Sequence, residues 1–352
     1  MRSKVRLGFV GVGNMGQCAH LRNYGAIPDC EVVALAEPKP ELARKVAARY
    51  GVRKTYVDAD SLIEAEAPDA LVAIQPFDRH GSIVKPLYRH GLPILTEKPL
   101  ASSLETGAAT LQALRAGGSW HMVGYHKRCD PATVAAKAEI DRLKGSGELG
   151  RMRYVRITMP EGDWIAGGFN DLIRSDEPAP PVPPDPAEPG MDAPTFDRYV
   201  AFVNYYIHQV NLLRHLLGEP YEVVHADPGG ILLTVRSESG VTGAIEMCPY
   251  RTTVDWHECA LVGFERGFVR LELPAPLATN RPGRVEFFRD PGGKPAETVS
   301  PTLPWVHAMR AQAEAFVAAV RGERNPPCEA AEALEDLRIA RDYIRLLDTQ
   351  TR

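Results

Sequence analysis

Gly11-Val12-Gly13-Asn14-Met15-Gly16 follows the apolar, β-branched run Val5–Val10 and precedes a helix-like segment. In that setting of strand, tight turn and helix, G-x-G-x-x-G spacing suits the pyrophosphate of a dinucleotide. Gly11 makes the turn, Gly13 lets the backbone approach the phosphates, and Gly16 lets helix and strand pack closely. Asn14 and Met15 complete the loop, and the free N–H groups of the helix start hold the anion. A second apolar strand, Glu31–Ala36, ends in Glu37, about twenty residues past the last glycine. A carboxylate there accepts hydrogen bonds from the adenosine ribose and repels a 2′-phosphate, so NAD is expected in preference to NADP. Lys39, two residues on, softens that preference.

Two further groups of residues have the types needed for proton transfer. Glu97-Lys98-Pro99 ends another apolar strand. A lysine partly desolvated beside a cationic nicotinamide has a lowered pKa and can exchange a proton with a hydroxyl; a solvated lysine paired with Glu97 is the plainer alternative. On the helix Tyr199–Leu217, which is mostly apolar, Asn204, His208, Asn211 and His215 recur at i, i+4, i+7 and i+11 and so share one face. Buried amides need hydrogen-bond partners, which could be protein groups or the hydroxyls of a polyol. Histidine titrates nearest neutrality, which suits it to acid–base work.

The elements that must position these residues follow from the rest of the chain. At 352 residues the chain is too long for one ordinary core, and two domains are expected. Composition is that of a globular protein, 44% hydrophobic and 24% charged, with a formal net charge of −4 and no basic block. Nucleic acid and anionic membrane surfaces are therefore not expected as partners. The start of the sequence does not read as a signal peptide, no apolar run in it reaches bilayer length, and a cytoplasmic setting is expected. The six cysteines are scattered, which reads as small buried thiols. No cluster has zinc-ligand spacing, so no metal is expected.

Residues 1–126 alternate short apolar strands with helices at Met15–Tyr24, Glu41–Tyr50, Ser61–Ala65, Gly81–Arg89 and Leu104–Ala116. That pattern predicts an α/β, doubly wound parallel sheet of the Rossmann type, with ligands bound at the strand C-termini. Gly11, Glu37, Gln75-Pro76, Glu97-Lys98 and Tyr125-His126 all fall there. Residues 127–352 read as an α+β domain on a largely antiparallel open sheet, with turns at Glu238-Ser239-Gly240 and Glu265-Arg266-Gly267. The two last helices, His307–Arg321 and Ala330–Leu347, could pack back on the first domain. Between strand Arg153–Met159 and the polar-striped helix lies a proline-rich insertion, about 176–195, too dense in proline for helix or sheet interior. It reads as a solvated loop, with a lid or an arm around a neighbouring subunit as alternatives.

The chain resembles the family of glucose–fructose oxidoreductase and inositol dehydrogenase (Gfo/Idh/MocA) over nearly its full length. The likeness rests on Gly11–Gly16, Glu97-Lys98-Pro99-Leu100-Ala101, Val123-Gly124-Tyr125-His126-Lys127-Arg128 with Asp130-Pro131, His208-Gln209-Val210-Asn211, and Val262–Gly267. The resemblance implies an oxidoreductase that moves hydride between nicotinamide C4 and a carbinol carbon of a sugar or cyclitol. Lys98 would polarise the reacting oxygen and His208 would be the acid–base. Lys127, with His126, Asn204 and Asn211, would contact substrate, while Gln75, Pro76, His80 and Glu97 would line the cofactor pocket. The family commonly carries aspartate at the positions of Asn204 and Asn211, and neither asparagine supplies the negative charge that favours a protonated imidazole. A redox-neutral, glycoside-cleaving use of the same chemistry and a non-catalytic NAD-binding sensor are the alternatives. Such proteins usually associate through the second domain's sheet, so a homodimer or homotetramer is expected.

Overall fold

A strand covered on both faces must be apolar throughout, and β1 (Val5–Val10) is buried at five of its six positions. The computed structural model describes residues 4–178 and 180–351; Ala179, within the proline-rich stretch, lies outside the described residues. A short π-helix (Gly16–Leu21) and α1 (Arg22–Tyr24) lead from the glycine turn to β2 (Cys30–Ala36), followed by α2 (Pro40–Tyr50), β3 (Thr55–Tyr56) and α3 (Ala59–Glu66). Next come β4 (Ala70–Ala73), α4 (His80–Ile83), β5 (Ile94–Glu97), α5 (Leu104–Gly117) and β6 (His121–Gly124). All pairings in this sheet are parallel, in the order β3-β2-β1-β4-β5-β6. The order reverses between β1 and β4, and it is at such a reversal that a crevice opens at the C-terminal edge.

Two helices differ from expectation. The segment after the turn begins as a π-helix, all six residues buried, before α1 continues it. The expected helix over 81–89 breaks after α4 into a 3₁₀ segment, Lys85–His90. Pro86 is the reason: it has no N–H, and its ring clashes with the preceding turn.

By their packing the described residues form two units. The first comprises 4–125, 168–196 and 312–337; the second comprises 126–167, 197–311 and 338–351. In the first, Phe9, Tyr24, Phe316 and Trp120 pack in successive edge-to-face contacts at 5.5, 6.3 and 5.6 Å. The segment 168–196 is therefore part of the nucleotide-type unit rather than a free loop. Gln17 exchanges two hydrogen bonds with the Ile173 backbone, at 2.9 and 3.0 Å. Three carboxylates of the segment then accept N–H groups at helix starts. Glu177 takes Glu41 and Leu42 in α2, Asp185 takes Gly81 in α4, and Glu188 takes Leu104 in α5. Each satisfies donors that a helix start leaves without intrahelical partners.

The second unit is built on an eight-stranded sheet, preceded by α6 (Pro131–Ser146). Its strands are β7 (Met152–Glu161), β8 (Tyr221–Ala226), β9 (Leu232–Ser237), β10 (Thr242–Arg251), β11 (Glu258–Phe264), β12 (Gly267–Leu273), β13 (Arg284–Arg289) and β14 (Glu297–Val299). The order is β14-β13-β12-β11-β7-β10-β9-β8, antiparallel except for β7 against β10. The last strand, three residues among polar neighbours, carries no sequence signal. Helix α7 (Ala193–Leu217) contributes residues 197–217 to this unit, where Leu213 lies over Gly243 of β10 and the Tyr221 hydroxyl donates to the Val210 carbonyl at 2.9 Å. Helices α8 (Ala308–Val320) and α9 (Ala330–Thr351) close the chain.

Candidate active site

In the first unit the glycine turn has the geometry its sequence implies. Gly11 has φ +91°, and a Cβ there would overlap the Ile74 carbonyl and the Gln75 amide. At Gly16 a Cβ would stand 2.8 Å from the Gly11 carbonyl oxygen, so only glycine lets the helix start so near the strand. Gly13 is different: it is exposed and a Cβ would meet nothing within 4 Å, leaving its backbone open to an approaching group. Asn14 is exposed and Met15 half-buried beside it. Glu37, at the end of β2, is buried, and its Oε2 accepts the Val12 N–H at 3.1 Å while Oε1 accepts the Lys39 N–H at 3.3 Å. An open glycine backbone with a carboxylate held beside the turn fits a dinucleotide with its ribose on Glu37.

Gln75 and Pro76 follow β4 at the same edge; Gln75 is half-buried, its Nε2 donating to the Val10 carbonyl at 2.9 Å, and Pro76 is exposed. His80 lies deeper than a pocket-lining role implies. It is 1% exposed, with Nδ1 3.3 Å from the Leu100 carbonyl and Nε2 3.2 Å from the Gln75 carbonyl. It ties the ends of two neighbouring loops, and burial holds its pKa below the ordinary value against the opposing pull of those carbonyls.

Glu97 and Lys98 stand at the end of β5, with a cis Lys98–Pro99 peptide. Glu97 is buried and its Oε1 lies 2.7 Å from His20 Nε2, while Oε2 accepts the Lys98 N–H at 3.3 Å. Burial pushes this carboxyl up, but the His20 hydrogen bond and the charges of His20 and Lys98 outweigh it and leave it below the ordinary range. Lys98 itself is half-buried. Behind this strand His121 is buried between Tyr88 and Thr96, each 2.8 Å from a ring nitrogen. The Thr96 hydroxyl donates to the Glu97 carbonyl at 3.0 Å, so it accepts from His121 Nε2 and Tyr88 donates to Nδ1. The neutral imidazole is thus fully bonded, and burial lowers its pKa to about 3.

The second unit brings together most of the other candidates. The His208 ring, half-buried on α7, meets the His126 ring edge to face at 4.6 Å. Asn204 is exposed, and Asn211 is buried with its Oδ1 accepting the Arg128 Nε–H at 2.6 Å. Asn211 therefore anchors Arg128, a structural duty that leaves less of it for a substrate hydroxyl. Lys127 departs furthest from a substrate-contacting role. Its ammonium is buried and ion-paired with Glu258, itself buried, and lies 5.3 Å from the centre of the Trp256 ring. Glu258 Oε1 also accepts from Gln209 at 2.8 Å, and Oε2 from the Trp256 indole at 3.1 Å.

Glu258 and Trp256 carry no signal in the sequence, and Gln209 and Arg128 stand there only as members of motifs, with no role of their own. Gln209 beside His208 was the available clue, since a polar residue facing away from the stripe on an apolar helix also needs a buried partner. Asp130 is another: it caps α6, accepts the Ala132 and Gly283 N–H groups at 2.8 and 3.0 Å, and burial pushes its pKa up to about 6 in spite of them. Among the described residues no group of three or more His, Cys, Asp or Glu could hold a metal ion, and no helix is long and apolar enough to cross a membrane.

Residues 5–125 match the model of an oxidoreductase family with an NAD-binding Rossmann fold, GFO_IDH_MocA. The scyllo-inositol 2-dehydrogenase (NAD(+)) of Bacillus subtilis is 26% identical over 261 residues, 70% of this chain and 68% of that protein. The inositol 2-dehydrogenase of Rhizobium meliloti is 30% identical over 216 residues, 61% of this chain and 56% of that protein, so the chain spans little more than half of that relative. Among solved structures, an oxidoreductase of Desulfitobacterium hafniense shares the fold with a TM-score of 0.78 at 15% identity, covering 99% of this chain and 97% of the other. Residues 5–125 thus match an NAD-binding Rossmann domain of the GFO_IDH_MocA type, and the chain shares with these neighbours a fold of one Rossmann sheet and a second, mostly antiparallel sheet.

Proposed function

We propose that the protein is an oxidoreductase, an NAD-dependent dehydrogenase acting on a ring CH–OH group of a cyclitol or sugar. When bound, the dinucleotide supplies the hydride acceptor, nicotinamide C4. Gly13 and the helix start hold its pyrophosphate, and Glu37 takes the ribose hydroxyls and disfavours a 2′-phosphate. Lys98 binds and polarises the reacting oxygen, and His208 receives the hydroxyl proton as the carbon gives up hydride. Lys127 and Asn211 act one step back, Lys127 holding Glu258 and Asn211 holding Arg128.

The observation that carries this reading is the gathering of the open glycine turn, Glu37 and Glu97-Lys98 at one edge of a parallel sheet, with His20 and His121 locking the Glu97 end. The relatives named above act on inositols, which makes cyclitols the first substrates to try. A panel of inositols, sugars and glycosides, assayed for reduction of NAD and of NADP, tests it; steady NADH formation from a cyclitol is expected. The open face of the second sheet, where Phe268 and Phe288 stack half-buried at 5.5 Å, is proposed to pair copies of the chain. Light scattering at micromolar concentration should return a dimer or tetramer.

A further inference from the structure

The β2–α2 turn carries two carboxylates, one from its own strand and one from 140 residues further along the chain. Glu37 Oε1 accepts the Lys39 N–H at 3.3 Å. Glu177, from the proline-rich segment, places Oε1 on the Glu41 N–H and Oε2 on the Leu42 N–H, each at 3.0 Å. The Ser175 hydroxyl donates to Glu177 Oε2 at 2.8 Å and its oxygen accepts the Glu177 N–H at 3.2 Å, which fixes the side chain from behind. The bond from Glu41, with that from Ser175 and the Lys39 charge, holds the Glu177 carboxyl below its ordinary range against a weaker desolvation effect.

In a dinucleotide-binding sheet the ribose 2′ position lies against the residue that ends β2, and a 2′-phosphate is accommodated by cations and N–H donors of the turn that follows. In this chain those donors are taken: Lys39 N–H by Glu37, and the first N–H groups of α2 by Glu177. Lys39, the one cation of the 37–42 turn, has the Glu177 charge beside it. We propose that Glu177 is a cofactor-specificity residue, a carboxylate built into the anion position at the start of α2 that excludes a 2′-phosphate and so selects NAD over NADP. It completes what Glu37 begins, and it removes the attraction that Lys39 would otherwise exert on the phosphate. The inference rests on the NAD-binding reading above and extends it to a residue outside the nucleotide fold's own strands and helices.

The segment holding Glu177 is pinned independently by Gln17, Asp185 and Glu188, so removing one carboxylate leaves the strap attached. The test is calorimetric titration of wild type, Glu177→Gln, Glu177→Ser and Glu37→Ser with adenosine 5′-diphosphate and adenosine 2′,5′-bisphosphate, with a thermal melt of each. Wild type is expected to bind the 2′-phosphorylated probe at least tenfold more weakly. Both Glu177 variants are expected to narrow that gap about tenfold by gaining affinity for the 2′-phosphorylated probe alone, and Lys39→Ala on the Glu177→Ser background to cancel the gain. An unchanged ratio in both Glu177 variants, with a relaxed ratio in Glu37→Ser, would overturn the role of Glu177 while leaving the nucleotide site intact. Failure of wild type to bind either probe would overturn the NAD reading itself.

Discussion

Glu37 Oε2 accepts the Val12 N–H at 3.1 Å, so the carboxylate ending the second strand is fixed against the glycine turn that ends the first. Two consecutive strands thus present one surface, with the Gly13 backbone open on it. The glycines around that surface are under different constraints, and substitution separates them.

Gly13→Ala should fold as wild type does, because the added Cβ meets nothing within 4 Å and the backbone is not left-handed. It should nevertheless lose NAD affinity by tenfold or more, since the methyl stands where the pyrophosphate must come close. Gly16→Ala should instead lower stability by about 1–3 kcal/mol, through the clash with the Gly11 carbonyl. Urea unfolding and NAD titration of both variants distinguish the two effects.

The parallel sheet of the nucleotide unit and the placing of candidate residues at its strand C-termini were legible in the sequence, because strands buried on both faces leave unbroken apolar runs and the glycine turn has a fixed spacing. The stripe on α7 was legible as a stripe, but the duties along it were not. Asn211 is committed to Arg128 and Asn204 is exposed, and neither fact follows from helical spacing. The Lys127–Glu258 pair joins residues 131 apart, which no local pattern reports. The strap was unreadable for a related reason: prolines exclude helix and sheet, but the carboxylates that tie 168–196 to three helix starts look like ordinary surface charge until the partners are seen.

Glu258→Gln should be strongly destabilising, by about 3–5 kcal/mol, because it leaves the Lys127 ammonium buried against a neutral amide. The double variant Lys127→Met with Glu258→Gln should recover part of that loss, since removing both charges removes the uncompensated one. Chemical denaturation of the single and double variants measures the coupling. Independent, additive losses would mean that the ammonium has another route to solvent.

His121 sets a pH dependence whose sign follows from its bonding. Its folded pKa is depressed to about 3 from an ordinary 6.5, so the native state keeps the ring neutral while the unfolded chain takes up a proton first. Its contribution is complete above pH 6.5 and is lost progressively as pH falls toward 3. His121→Asn should be less stable at neutral pH, having lost a bond to Tyr88 or Thr96, yet its unfolding free energy should fall less steeply across that window. A denaturation series over the same pH range reads the slope, and an identical slope in variant and wild type would mean that another group governs the acid limb.

The most direct measurement is NAD reduction by wild type, Lys98→Met and His208→Asn with scyllo- and myo-inositol and a panel of sugars, each protein first titrated with NAD. The expected result is NADH formation by wild type with at least one ring polyol, and NAD affinity within about twofold of wild type in both variants. Turnover in the variants should fall by about 10²–10⁴-fold, the share of a rate that a positioned proton-transfer group supplies. Wild type that binds NAD yet reduces it with no member of the panel, or variants that turn over as fast as wild type, would contradict the assignment of Lys98 and His208 to the chemistry.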